Sequence, residues 1–104
     1  MSLITLLKDV TAPVKGAVQP SSEAAFNGTV SFQAGVSGTG AVAAQVKIYG
    51  CNDARYPQLI LTLDLSGAIT VSEADRDDFP WAFYQAEVVS LSGLGAAVSV
   101  TAWS

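Results

Sequence analysis

A chain of 104 residues is long enough for one domain with its own core, burying roughly two-thirds of the surface it exposes when unfolded. Five basic against nine acidic residues give a net charge of −4, and with no basic cluster this excludes phosphate-driven binding of nucleic acid. A single cysteine, Cys51, and no histidine exclude an intrachain disulfide, a Cys/His zinc site and any nucleophile that histidine activates.

Charged residues make up 13% of the chain and hydrophobic ones 50%, against a usual charged share of about 25%. Ser, Thr, Ala, Gly and Gln must therefore fill much of the surface, with some apolar side chains among them. Such a surface suits a subunit covered by neighbours better than a solvated monomer. The opening MSLITLLKDVTAP lacks the basic n-region and long apolar run of a signal peptide. No apolar run approaches the ~18 residues needed for a membrane helix. Folding in the cytoplasm is expected.

In chain order, residues 3–8 (LITLLK) read as a first strand. Residues 11–28 are rich in Pro, Gly, Ser and Ala, and Pro13 and Pro20 limit them to one short edge strand near Val14–Val18. Residues 29–50 carry the clearest pattern of the chain. Val30, Phe32, Ala34 and Val36 fall two apart, as do Val42, Ala44, Val46 and Ile48, on either side of Ser37-Gly38-Thr39-Gly40. Period-two runs flanking a short Gly-containing loop predict a central antiparallel hairpin.

Residues 51–57 (CNDARYP) collect turn formers. QLILTLDL follows, with Leu59, Leu61, Leu63 and Leu65 on one face. Ser66-Gly67 predicts a turn into a short strand, Ala68–Ser72, and residues 73–80 (EADRDDFP) an acidic loop. Trp81–Leu91 reads as a long strand with Ala82, Tyr84, Ala86 and Val88 on one face; Ser92–Gly95 as a second hairpin loop; and Ala96–Trp103 as the closing strand. No segment shows three turns of helical spacing. The predicted fold is all-β, a two-layer antiparallel sandwich of about seven or eight strands, jelly-roll-like or Ig-like. It is one domain over 1–104, with 1–28 as an N-terminal strand and loop arm and 29–104 as the main sandwich. The expected core is Phe32, Val46, Ile48, Leu61, Leu63, Tyr84, Val88, Val98 and Val100.

No constellation points to catalysis, a metal or a cofactor. Cys51 stands beside Asn52 and Asp53, an environment that raises a thiol pKa, so it reads as an ordinary or partly buried thiol. Glu73, Asp75, Asp77 and Asp78 are crowded on one segment without the opposed walls a glycosidase needs. They read as a solvated loop, with a loose calcium site as the alternative, and they lack the EF-hand offsets. Gly-x-Gly recurs in VSGTGAV at 36–42 and LSGLGAA at 91–97. With no helix after either, two hairpin tips are expected rather than a phosphate cradle. Tyr49, Tyr56, Trp81, Phe83, Tyr84 and Trp103 are the aromatics available for stacking a sugar, although core packing or a subunit contact is commoner at a strand start.

Three stretches, VSGTGAVAAQVKIYGCND at 36–53, PWAFYQAEV at 80–88 and LSGLGAAVSVTAW at 91–103, together with the opening TLLKDVTAPVKGA, resemble small virion structural proteins of tailed bacteriophages and prophages. The pattern departs at Cys51 (usually Ser), Ala54 (usually Gly) and Arg55-Tyr56-Pro57 (usually an Asn-Trp-like stretch), all in one loop. The resemblance implies a non-enzymatic β-sandwich subunit of a phage particle assembled in the bacterial host cytoplasm, foremost a capsid decoration (cement) protein that binds and stabilises the major capsid shell. A tail or baseplate component is the runner-up, and a carbohydrate-binding module on the virion surface a further alternative. The implied partners are the major capsid protein and copies of itself, as a homotrimer or through lattice contacts. Phe79, Trp81, Phe83 and Trp103, near strand ends, are the candidate contact residues.

Overall fold

The computed structural model describes residues 3–20, 30–53, 55–77 and 81–103. Seven antiparallel strands and no helix make up these residues: β1 (Leu3–Val10), β2 (Val14–Lys15), β3 (Gln19–Pro20), β4 (Val30–Cys51), β5 (Gln58–Asp77), β6 (Phe83–Ser92) and β7 (Ala97–Trp103). The fold is all-β, as the alternating apolar pattern requires.

The two longest strands organise it. β4 runs for 22 residues and pairs with β5 along its whole length, from Gly50 opposite Gln58 to Val30 opposite Asp77. A straight strand of that length would reach roughly 70 Å, yet the longest dimension of the molecule is 39 Å. The ribbon must bend. It does so where the register jumps between Ser37 and Ala41, three residues of β4 standing opposite Ile69 alone. On its other edge, β4 pairs with β7 through Ser31–Ser37 and with β6 through Ala43–Cys51. β1 extends the sheet beyond β7, while β2 and β3 pair with β6. Two half-sheets therefore share one bent ribbon: β5–β4–β7–β1 and β5–β4–β6–β2/β3.

Their inner faces form one core. Phe32, Ala34 and Val36 of the first half of β4 face Val42, Ala44, Val46 and Ile48 of the second, with Tyr84, Ala86, Val88, Val98, Val100 and Ala102 completing it. Phe32 and Tyr84 meet edge to face across the layers, with ring centroids 5.3 Å apart. At the opposite corner the segment after β1 crosses to β6, where the Gly16 amide donates to the Ala86 carbonyl at 2.9 Å. A Cβ on Gly16 would stand 2.6 Å from Leu7 Cδ2. This close approach brings the sandwich almost to a closed barrel. Register shifts in β1 on both sides of Leu7 turn both Leu6 and Leu7 inward, which strict alternation forbids.

Several sequence expectations need correction. Residues 29–50 are no hairpin: the described part is one continuous strand, and Ser37–Gly40 is its bend. Ser66-Gly67 is not a turn, and Ala68–Ser72 is not a separate strand; both lie inside β5. Of the expected acidic loop, Glu73–Asp77 is strand, paired with Val30–Ala34, while Asp78, Phe79 and Pro80 lie outside the described residues, as does Ala54. Ser92–Gly95 joins β6 to β7, but these strands pair with different halves of β4 rather than with each other. At Gly38 and Gly67 a glycine read as a turn residue serves another need. A Cβ on Gly38 would stand 2.7 Å from Val42 Cγ1, and one on Gly67 would stand 2.5 Å from Val71 Cγ2. Crowding at a sheet corner, not reversal of the chain, requires them. Gly93 and Gly95, with φ of 120° and 67°, do need the left-handed region.

The expected core residues are buried except Leu61, which packs half-buried against the cluster. Leu59 does not join its leucine row, being 52% exposed. Ile60 is an extra residue between the pairs Ile48–Leu61 and Tyr49–Leu59, and it reverses the phase.

Candidate interaction surface

The four aromatic candidates separate in the structure. Phe79 lies outside the described residues. Trp81 is held intramolecularly: its amide donates to the Tyr84 hydroxyl and its indole Nε1 to Asp77 Oδ2, both at 3.2 Å. Its ring lies so close over Gly50 that a Cβ there would be 2.5 Å from Cγ. Phe83 is half-buried at the start of β6, paired with Cys51 and Pro20. Trp103 is 46% exposed at the end of β7, opposite Ser31 and therefore on the outer face of the first half-sheet.

That face is mostly small and polar, with Arg76 and Asp9 as its charged groups. Ser31, Gln33, Gly35 and Ser37 of β4 lie between Ala97, Ser99, Thr101 and Trp103 of β7 and Thr70, Ser72, Ala74 and Arg76 of β5. Alternation places these side chains outward while Phe32, Ala34 and Val36 point inward. The outer edge of β5 has no partner strand among the described residues along its 20 positions. Ile69, in the middle of that edge, takes a φ of 65° with its side chain 62% exposed. A β-branched residue in the left-handed region is a genuine outlier. Across the bend, the turn between β6 and β7 presents Leu94, 81% exposed. Sequence patterning signals neither exposure: Leu94 falls in an expected hairpin loop, and Ile69 in an expected short strand, Ala68–Ser72.

The outer face of the second half-sheet is more polar. The Tyr49 hydroxyl donates to Glu87 Oε1 at 2.9 Å, and Lys15 Nζ lies 5.0 Å from the ring centroid. That bond, with partial burial and the negative charge of Glu87, raises the Tyr49 pKa. Gln45 Nε2 donates to Asp64 Oδ1 at 3.0 Å. In the 51–57 turn, Asp53 accepts from the Arg55 side chain and amide, which lowers its pKa. Cys51 is buried beneath this turn, and desolvation followed by the charge of Asp53 pushes its thiol pKa up. That matches an ordinary buried thiol. Among the described residues no group of three or more His, Cys, Asp or Glu is arranged to hold a metal. The arrangement offers surfaces and an open edge for contact. No protein-family model matches the chain, and no curated protein matches it.

Proposed function

We propose that this chain is a non-enzymatic structural subunit of a tailed-bacteriophage particle, acting as a capsid decoration protein that binds the major capsid shell and copies of itself. The observation that carries the reading is the edge of β5, unpaired among the described residues, beside an outer face of mostly small polar side chains. An exposed edge strand is a template for pairing with another chain, and proteins that stay monomeric usually blunt it with charge, proline or a covering segment. β5 carries its charges at Asp64, Glu73, Asp75, Arg76 and Asp77, and the eight residues between the first two, Leu65–Ser72, have none, so the open stretch is the middle of the edge. The exposed Ile69 and Leu94 add apolar area at the same corner. Many weak contacts repeated over a lattice reinforce one another, so each copy needs little affinity of its own.

Locating the chain in an intact particle by electron cryomicroscopy tests the assignment. Density on the outer surface of the capsid supports it. Density confined to the tail or baseplate replaces it with a tail role, and absence from the particle removes the virion reading.

A further inference from the structure

The edge of β5, unpaired among the described residues, is divided by its own sequence, and only one part of it accepts another strand. Towards its end, Glu73, Asp75 and Asp77 stand opposite Ala34, Phe32 and Val30 of β4, whose side chains point into the core. The three carboxylates therefore lie on the core-facing side of an edge strand, where an added strand would bury them. A two-fold axis at any residue from 73 to 77 would also set like charge opposite like charge. At Ile69 the φ of 65° and the jump in register bend the strand, so pairing does not run through that point. Between this bend and the extra residue at Ile60 lies a regular run, residues 61–68, whose one charge is Asp64.

The run selects its own partner. Leu61-Thr62-Leu63-Asp64-Leu65 reads almost the same in both directions, so an antiparallel second copy presents leucine to leucine. An axis at Leu63 sets Leu61 opposite the partner's Leu65 and Leu63 opposite the partner's Leu63, continuing the inner apolar row across both copies. It also sets Asp64 opposite the partner's Thr62, whose neighbour on β4 is Lys47. Lys47 forms no ion pair among the described residues. Two strand spacings, about 10 Å between Cα atoms, let a lysine and an aspartate reach towards each other. Other axes fit worse. One at Asp64 opposes two carboxylates, one at Leu65 sets Leu63 opposite Gly67, and one at Thr62 sets Asp64 opposite the bulged Ile60. At the ends of the contact, Ile69 of each copy meets the partner's 51–57 turn, covering Ile69 and Tyr56, which are 62% and 64% exposed in the single chain. We propose that two copies pair antiparallel through this run of β5, with the two-fold axis at Leu63, into a dimer with one continuous sheet. The pairing rests on the reading of this edge as an assembly contact, and it names the occupant and the register.

Sedimentation equilibrium of the full chain from micromolar to millimolar concentration tests it. A monomer–dimer equilibrium is expected. Thr62→Asp, which sets carboxylate opposite carboxylate twice, should weaken the dimer about threefold or more, and Thr62→Lys should tighten it. Both substitutions are at an exposed position, so the melting temperature should hold. Oxidising a mixture of Thr62→Cys and Asp64→Cys chains should give chiefly the mixed disulfide, with the buried Cys51 taking no part. A trimer, unchanged association in both Thr62 variants, or a dominant disulfide between two Asp64→Cys chains overturns the proposal. A strictly monomeric chain that still coats capsids lacking it overturns the pairing alone, whereas one that also leaves them bare overturns the decoration role as well.

Discussion

The carbonyl oxygen of Leu94 lies 3.0 Å from the place where a Cβ on Gly38 would stand, and it accepts the Thr39 amide at 3.1 Å. The turn between β6 and β7 is thereby fastened to the bend of β4. Gly38→Ala must push backbone against backbone and should cost about 1–3 kcal/mol. Gly40, two residues on, has nothing within 4 Å of an added Cβ, so Gly40→Ala should be neutral or stabilising by up to about 1 kcal/mol. Chemical denaturation of the two variants checks this. Equal effects would contradict the bent strand.

Ile69 pays a conformational cost at φ 65° for little burial. Ile69→Asn, a residue that tolerates this region, should stabilise the isolated domain by about 1 kcal/mol. For a domain of this size that is a rise of roughly 4–8 °C in melting temperature. The same variant should weaken self-association, because it removes an apolar side chain from the open edge.

Ile48 is fully buried, whereas Leu59 is half-exposed beyond the phase reversal at Ile60. Ile48→Ala should cost about 2–5 kcal/mol and Leu59→Ala less than about 1 kcal/mol. A large loss for Leu59→Ala would restore the unbroken leucine row.

These contrasts show what was legible in the sequence. Alternation at Val30–Val36, Val42–Ile48, Tyr84–Val88 and Val98–Ala102 specifies strands and their buried faces, because a period of two reports pleating directly. Connectivity was not legible. Glycine at positions 38 and 67 marks crowding at a corner as readily as it marks a turn, and only the partner atoms, Leu94 O and the Val71 side chain, decide which. Bulges at Leu6–Leu7 and Ile60 are equally silent, since an extra residue leaves composition unchanged. Of the four contact candidates, Trp103 is exposed, while the Trp81 amide and indole N–H bond within the chain.

Tyr49 and Tyr84, like the buried Cys51 thiol, hold their protons more tightly in the folded state and so contribute to the loss of stability at alkaline pH. Hydrogen bonding to Glu87 raises the Tyr49 pKa, and burial raises that of Tyr84. A raised folded-state pKa means the folded form holds the proton more tightly. The stabilisation is therefore complete below the unfolded value near 10 and is lost as pH rises through the folded values. Melting temperature should fall above about pH 10, and Tyr49→Phe should make that fall shallower. An identical alkaline profile in Tyr49→Phe would show that its bond to Glu87 contributes nothing.

The assembly role is tested most directly by light scattering of the purified protein at micromolar concentration, alone and with phage capsids that lack it. A self-associated species that also binds those capsids saturably is the expected result. Trp103→Glu and Phe83→Glu should weaken association while leaving the fold intact, because a carboxylate is costly to bury at a contact. A strictly monomeric protein that leaves the capsids bare would contradict the decoration role.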